Sequence, residues 1–306
     1  MSKRKGIVLA GGSGTRLYPS TYSTSKHLLH VYDKPMIYYS LSLLMLAGIR
    51  EILVISSRLD IVNYRRLLHD GSQWGLSIDY AIQEQPEGIA QAFILAEKFI
   101  GNDTVSLVLG DNILYGDGLQ NILVSATSQK EGATIFGYMV KDPTRYGILD
   151  FDHKGQVINI EEKPEHPKSN YAVIGLYFYD NHVIDYAKSI TRSKRNELEI
   201  TDINALYLKN NSLKARLLGR GMAWLDAGTP TSLLDAANFF HSLEERQGLK
   251  VYCPEEIAWR HHYINDEQLE HLTQKMGRCD YAAYLSSLLL KQHLQFSSFS
   301  TEDTQL

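Results

Sequence analysis

A glycine-rich turn and two cations near the amino terminus have the residue types of a polyphosphate site. Arg16 and Lys26 follow a turn made of Gly11, Gly12, Ser13, Gly14 and Thr15. Glycines let backbone amides close around an oxyanion, because no Cβ blocks the approach and a positive φ costs little. A tight turn without a ligand is the alternative interpretation of the glycines alone. Arg16 and Lys26 favour the phosphate site, because they supply the positive charge.

Two widespread phosphate motifs are absent from this segment. A Walker loop ends in Gly-Lys-Ser/Thr, whereas Gly14 is followed here by Thr15 and Arg16. The dinucleotide fingerprint needs a third glycine at the position that Leu17 occupies. The segment therefore indicates a phosphate-binding turn of another kind.

The elements around this turn predict a parallel sheet. Short apolar runs at 6–10, 51–56, 77–83 and 105–109 are typical of strands, and apolar stripes at 36–47, 61–69 and 89–99 are typical of helices. Alternation of strands and helices predicts helices on both faces of the sheet. The glycine turn, Gln83 and Asp111 each follow a strand. Since ligands lie at the carboxyl ends of parallel strands, we expect these three regions to line one crevice.

The second half of the chain has a different order of predicted strands and helices. Short strands are predicted at 133–139, 147–151, 157–161 and 172–179, which we interpret as a sheet extension that carries a second substrate. Helices follow at 200–208, 232–247, 266–275 and 281–291, with strands near 215–218 and 223–225. We therefore predict one domain at 1–245, with halves at about 1–130 and 131–230. A C-terminal helical segment of the same domain should occupy 246–293, and a polar, flexible tail 294–306.

Composition restricts the function classes. The chain has 306 residues, 44% hydrophobic and 22% charged, with a formal net charge of -4. A mildly acidic chain is not expected to bind nucleic acid or a membrane surface through a basic field. We find no apolar segment of the length that a membrane span or signal peptide needs, and expect a cytoplasmic protein. The two cysteines, Cys253 and Cys279, are too few for a disulfide framework and are expected in the core.

Motifs along almost the whole chain resemble those of sugar-phosphate nucleotidyltransferases, and in particular of the members that transfer a thymidylyl group to glucose 1-phosphate. The matching strings are LAGGSGTRLYP, SK, VYDKPMIYY, DGSQWGL, LVLGDN, RYGILDFD, EEKP, KSNYAVIGLYFYD, ELEITDIN, WLDAGT and EERQGLKVYCPEEIAWR.

The resemblance implies an α/β, Rossmann-like nucleotidyltransferase fold with a mostly parallel central sheet. It implies Mg²⁺-dependent reaction of dTTP with glucose 1-phosphate, which gives dTDP-glucose and pyrophosphate, the first step of dTDP-deoxysugar biosynthesis. It also implies a homotetramer. Nucleotidyl transfer of this kind rests on positioning and charge neutralisation, since the attacking phosphate is already largely dianionic at neutral pH.

The same resemblance implies roles for individual residues. Arg16 should hold the β and γ phosphates, Lys26 should lie near the α phosphate, and Lys163 should bind the sugar phosphate. Asp111 and Asp226 should bind the magnesium ion, which prefers carboxylate and phosphate oxygens. The glycine turn and Asp111 should bind the nucleotide, and Gln83 and Gly88 should read its base. The hexose pocket should be built from Asn112, Tyr146, Gly147, Glu162, Val173 and Trp224.

Some positions depart from the family pattern and leave other functions open. His27, His30, Ile174 and Ala227 replace residues near the substrates, and the segment from Gln83 to Gly88 reads QEQPEG. One alternative is the same reaction with UTP or another sugar 1-phosphate. A second alternative is a non-catalytic, nucleotide-binding regulatory paralogue, although both metal aspartates and the active-site cations are present.

Overall fold

The structure is a computed structural model that describes residues 3–299, with side-chain surroundings for residues 3–290. The strands are β1 (Arg4–Leu9), β2 (His30–Val31), β3 (Lys34–Pro35), β4 (Glu51–Ser56), β5 (Ser77–Ile82), β6 (Thr104–Leu109), β7 (Asn112–Tyr115), β8 (Ala133–Met139), β9 (Gly147–Phe151), β10 (Val157–Glu162), β11 (Tyr171–Tyr179), β12 (Leu213–Leu217) and β13 (Ala223–Asp226). The helices are α1 (Met36–Leu46), α2 (Ile61–Leu68), α3 (Gln91–Leu95), α4 (Glu97–Ile100), α5 (Leu119–Thr127), α6 (Val183–Ser189), α7 (Ile200–Lys209), α8 (Pro230–Gln247), α9 (Pro254–Arg260), α10 (Asp266–Met276) and α11 (Asp280–Phe299).

The central sheet of the described chain has nine strands. Its main path runs β10-β9-β11-β6-β1-β4-β5, and β8 and β12 branch from β11. The strands of the first half are parallel, with β1 between β6 and β4 and with β5 at the edge. Strand β11 joins them antiparallel to β6 and carries the strands of the second half. The predicted parallel sheet and its extension are therefore confirmed.

Neighbouring residues of β1 face opposite sides of the sheet. Val8 packs into a core with Leu44 of α1 and Phe240 of α8. Ile7 packs into a second core with Phe93 of α3 and Tyr179 of β11. Because side chains alternate along a strand, one buried strand supports helical layers on both faces, as the run of apolar residues predicts.

The C-terminal helices pack on the first of these cores. The Trp74 indole donates a hydrogen bond to Glu255 in α9 at 3.2 Å, and the Tyr263 hydroxyl donates to the carbonyl of Met45 in α1 at 3.3 Å. Helix α9 brings Cys253 into the core, whereas Cys279 is exposed, contrary to prediction. Cys279 lies in the short connection that precedes α11, where the chain is at the surface.

Several boundaries differ from the prediction, and two of these differences are large. The segment 89–99 forms two short helices, because Ala96 has ψ near 0° and interrupts the helical geometry. Helix α11 continues to Phe299, so 294–299 of the predicted tail is helical. The remaining residues of that tail, 300–306, lie outside the described residues. Among the helices that the structure describes, none combines the length and apolar character that crossing a bilayer requires.

Candidate active site

The glycine turn connects the end of β1 to a short helical turn at Thr15–Leu17. Gly12 and Gly14 have φ values of 97° and 61°, which favour glycine at both positions. The Thr21 hydroxyl donates a hydrogen bond to the Gly14 carbonyl at 2.8 Å and anchors the turn. This bond ties the turn to the segment around Thr21.

Two clefts lie at the carboxyl ends of the strands. The smaller cleft, of about 220 Å³, is lined by the predicted residues Gly11, Gly12, Lys26, Gln83, Gly88 and Asp111. The larger cleft, of about 650 Å³, is lined by the predicted residues Arg16, Asp111, Asn112, Tyr146, Gly147, Glu162, Lys163, Val173, Trp224 and Asp226. The expectation that the glycine turn, Gln83 and Asp111 share one crevice is met. Asp111 lines both clefts and therefore lies where they meet.

Asp111 is buried and paired with a cation. Lys26 Nζ forms an ion pair with Asp111 Oδ2, and the Asn112 amide donates to Asp111 Oδ1 at 3.1 Å. Burial by itself would raise the pKa of Asp111, but the Lys26 ammonium and the Asn112 amide hold it well below its usual range. Asp111 is therefore a carboxylate throughout the neutral range.

The second aspartate is brought beside the first by strand pairing. In the antiparallel pair of β13 and β7, Asp226 is opposite Asn112, and the Ala227 amide donates to the Asp111 carbonyl at 3.3 Å. Burial raises the pKa of Asp226, and the charge of Asp111 raises it further. Ionising Asp226 beside the Asp111 carboxylate therefore costs electrostatic free energy.

This donor set fits a hard divalent cation. Magnesium takes carboxylate oxygens together with phosphate oxygens and water, and a cation between the two aspartates would offset the repulsion that raises the pKa of Asp226. No group of three or more His, Cys, Asp or Glu side chains suited to a metal occurs within the described residues. Asp111 and Asp226 would therefore hold the ion jointly with oxygens of a substrate.

The wall of the larger cleft is fixed by hydrogen bonds to Asn112. The Trp224 indole and the Gly175 amide donate to Asn112 Oδ1 at 2.8 and 2.9 Å. The Tyr146 and Trp224 rings are in contact, with centroids 4.9 Å apart. These aromatic faces and polar atoms line a pocket of the kind that sugars occupy, with apolar surface beside hydrogen-bonding groups.

Glu162 and Lys163 also line the larger cleft. Lys163 has a φ of 45° and donates its amide to the Tyr146 carbonyl at 3.0 Å, so the loop after β10 is tied to the start of β9. The Lys163 ammonium lies 3.8 Å from Glu162 and is 44% exposed, which leaves it free to meet an anion. Thr201 donates to Glu162 Oε2 at 2.5 Å, and Arg195 donates to Glu162 Oε1 at 3.1 Å.

Gly88 is a site of close backbone packing. Its φ is 106°, and a Cβ at this position would lie 2.3 Å from the Leu198 carbonyl oxygen. The Leu198 amide donates to the Glu87 carbonyl at 2.7 Å, so the segment before α7 is joined to the 84–90 loop. Only glycine lets this loop approach the rim of the smaller cleft.

His27 is buried directly behind Lys26. Its Nδ1 lies 3.2 Å from the Ser25 hydroxyl and 3.3 Å from the Tyr64 hydroxyl, and its ring packs on Gly110. Burial and the charge of Lys26 lower the pKa of His27 to about 3. A neutral imidazole therefore packs next to Lys26, in contact with Ser25, Tyr64 and Gly110.

Some predicted residues lie outside the clefts, and some lining residues were not predicted. Ser13, Gly14 and Thr15 line neither cleft. Ile174 and Ala227 are in the core, so those two departures from the family pattern do not reach the larger cleft. The lining residues that were not predicted as site residues are Leu9, His27, Pro86, Ile89, Leu109, Thr144, Arg145, Gly175, Tyr177, Glu197, Ile200 and Thr201. Arg145 lies 3.4 Å from Asp226, and its position next to Tyr146 in the matching string RYGILDFD was the available signal.

Comparison with known proteins agrees with this geometry. Residues 5–242 match the family model described as nucleotidyl transferase. The chain therefore belongs to the nucleotidyl transferase family, a class of enzymes. Such enzymes generally use a divalent metal ion.

Individual relatives indicate which nucleotidyl transferases this chain resembles. A glucose-1-phosphate thymidylyltransferase of Neisseria meningitidis is 55% identical over 287 residues, which cover 94% of this chain and 100% of that protein. One of Mycobacterium tuberculosis is 54% identical over 285 residues, covering 93% and 99%. The chain is thus similar to glucose-1-phosphate thymidylyltransferases over almost its whole length.

Solved structures share the fold. A Bacillus anthracis protein assigned as a glucose-1-phosphate thymidylyltransferase, in complex with sucrose, has a TM-score of 0.72 and 43% identity, covering 77% of this chain and 94% of that one. A UDP-glucose pyrophosphorylase in complex with UDP-glucose has a TM-score of 0.68 and 24% identity, covering 79% and 100%.

Proposed function

We propose that this chain catalyses Mg²⁺-dependent transfer of a thymidylyl group from dTTP to α-D-glucose 1-phosphate, which gives dTDP-glucose and pyrophosphate. The observation that carries the proposal is the junction of the two clefts at Asp111, with Lys26 on one side and Asp226 on the other. The smaller cleft, lined by Gln83 and Gly88, suits the base of the nucleotide, and the larger cleft, lined by Arg16 and Lys163, suits the phosphates and the sugar. The relatives described above are named glucose-1-phosphate thymidylyltransferase, which supports this assignment.

The chemical demand on the site is to bring two anions together. The attacking phosphate needs no general base, because its second pKa is near 6 and it is largely dianionic at neutral pH. Lys163 would bind this phosphate, and Arg16 would stabilise the departing pyrophosphate, since guanidinium groups suit fork-like phosphate contacts. Lys26 would neutralise the α phosphate. Each group acts through position and charge.

Asp111 and Asp226 would hold the magnesium ion. When bound, the ion would neutralise phosphate charge and fix the oxygens around the α phosphorus. The Asn112 amide keeps the Asp111 carboxylate oriented, and Tyr146 OH lies 3.5 Å from Asp226 Oδ2. These contacts orient both carboxylates towards the junction of the clefts.

We also propose a homotetramer, as the family resemblance implies; light scattering of the purified protein would test it. The activity is tested by pyrophosphate release with Mg²⁺, with dTTP, UTP, CTP, ATP and GTP each tried against the 1-phosphates of glucose, galactose and glucosamine. Fast turnover with dTTP and glucose 1-phosphate is expected. A different best pair would refute the substrate assignment, and no turnover with any pair would refute catalysis.

A further inference from the structure

Three side chains behind the smaller cleft form a continuous chain of hydrogen bonds. Gln83 Nε2 donates to Gln91 Oε1 at 2.6 Å, and Gln91 Nε2 donates to Glu87 Oε2 at 2.7 Å. Arg192 donates to the other carboxylate oxygen, Glu87 Oε1, at 2.5 Å. We call Glu87, Gln91 and Gln83 the amide relay. It connects the exposed rim of the 84–90 loop to the buried side chain of Gln83.

The orientation of the Gln91 amide is set by two groups that can bond in only one direction. The Glu87 carboxylate can only accept, so it must face the Gln91 nitrogen. The Glu87 backbone amide can only donate. It donates to the Gln85 carbonyl at 2.9 Å and also to Gln91 Oε1 at 3.3 Å. A flipped Gln91 would place oxygen against carboxylate and N–H against N–H. The side-chain and backbone groups of one residue, Glu87, thus specify which way Gln91 points.

Gln91 in turn specifies Gln83. Because Gln91 presents its oxygen, Gln83 must present its nitrogen to Gln91, and Gln83 Oε1 then faces Gly11. A Cβ on Gly11 would lie 2.6 Å from this oxygen. Among residues 3–290, Gln83 Oε1 accepts no hydrogen bond, and it is not one of the buried polar atoms without a partner. The oxygen is therefore open to the smaller cleft and presents an acceptor there.

An acceptor at this point discriminates between pyrimidines. Thymine and uracil carry a donor N–H at N3, whereas cytosine carries a lone pair there. We infer that Glu87 and Gln91 are positioning residues that act through Gln83 to select nucleotides with an N3–H donor and to disfavour cytidine nucleotides. The inference deepens the proposed function and rests on it, because Gln83 must contact the base.

The test compares UTP with CTP, which differ only in the base edge in question. Dissociation constants are measured by isothermal titration calorimetry, without sugar phosphate. We expect the wild-type chain to bind UTP about 10- to 100-fold more tightly than CTP, the discrimination typical of a specific base-edge contact. In Gln91→Lys, the ammonium would pair with Glu87 and donate to Gln83 Oε1, turning the Gln83 nitrogen to the cleft. The UTP preference should then disappear or reverse.

Glu84→Gln is the matched control. It changes net charge by the same amount in the same loop, but Glu84 is an exposed partner of Arg58 outside the relay. It should keep the wild-type UTP/CTP ratio. Glu87→Gln, which frees Gln91 to rotate, should lower the ratio several-fold and serves if Gln91→Lys does not fold. Equal binding of UTP and CTP by the wild type, or a wild-type ratio in folded Gln91→Lys or in Glu87→Gln, would overturn the relay.

Turnover with glucose 1-phosphate separates this inference from the proposed function. If the binding ratios are as expected but dTTP gives no turnover, the relay is supported and the proposed activity is refuted. If the chain makes dTDP-glucose but binds UTP and CTP equally, the activity is supported and the relay is refuted. In the relay variants, KM for glucose 1-phosphate should be unchanged. A general disturbance of the site would change this KM as well.

Discussion

Asp226 lies one residue from Asp111 across the β7–β13 pair, because Asp226 is paired with Asn112. Two aspartates 115 positions apart in the chain thus line the larger cleft together, and Asp111 also lines the smaller one. Lys26 neutralises one of them, and the pKa of the other is raised by burial and by its neighbour. The site is therefore arranged to accept a further cation together with anionic substrates.

Asp226→Asn should lower turnover with Mg²⁺ at least about 100-fold, as loss of a key electrostatic contact does. The folded chain should be no less stable, because a carboxylate with a raised pKa costs free energy when ionised. Both chains are unfolded thermally with and without Mg²⁺ and dTTP to measure their stability and its increase on binding. The wild type should be stabilised more by the ion than the variant is. A variant with wild-type turnover would exclude Asp226 as a ligand.

Lys26→Gln should be destabilising as well as inactivating. The side chains of Lys26 and Asp111 are only 15% and 12% exposed, so the change leaves a buried carboxylate without its cation. Urea unfolding should show a loss of about 3 kcal/mol. The control is Lys3→Gln, which removes an ion pair with Glu51 whose side chains are 77% and 38% exposed. That loss should stay below about 1 kcal/mol, and equal losses would contradict the account.

His27 should make stability depend on pH. Its pKa is lowered to about 3 in the folded chain, so below about pH 6.5 the unfolded chain binds more protons. His27 therefore costs no stability above about pH 6.5, and the cost grows by up to about 1.4 kcal/mol per pH unit as pH falls. Urea unfolding at about pH 7 and about pH 5 should show a smaller loss for His27→Gln than for the wild type. Parallel pH profiles would be the contrary result.

Gly11→Ala should weaken nucleotide binding selectively. The new Cβ would lie 2.6 Å from Gln83 Oε1 and would displace the group that faces the base. KM for dTTP should rise about 10- to 100-fold, the range of a lost base contact, while KM for glucose 1-phosphate stays near the wild-type value. Gly219→Ala is the control, since a Cβ there meets no atom within 4 Å. A similar rise in both KM values would argue against this arrangement.

The sequence predicted the local elements well where apolar runs were clear. The bounds of β4, β8 and β9 match the predicted ranges, because each is a short, largely apolar run that is set off by a polar residue or glycine on at least one side. The pairing of β7 with β13 was not predictable, since it joins segments more than a hundred residues apart. Only the structure could show that this pairing sets Asp226 beside Asp111.

The positions of the site residues were predictable only in part. The rule for parallel strands brought Gln83 and Asp111 to one crevice, but side-chain direction needs the packed environment. The amide direction of Gln83 depends on Gln91 and on both the backbone and the side chain of Glu87. The burial of His27 depends on Tyr64 and Gly110, which a linear pattern does not connect to it.

Direct transfer of the thymidylyl group is tested by following the α phosphorus of dTTP. With label at that position, Mg²⁺ and glucose 1-phosphate, we expect the label in dTDP-glucose, one pyrophosphate released per product, and no label on the protein. No label should be transferred when the sugar phosphate is omitted. Label found on the protein, or product formed without glucose 1-phosphate, would contradict direct transfer between the two clefts.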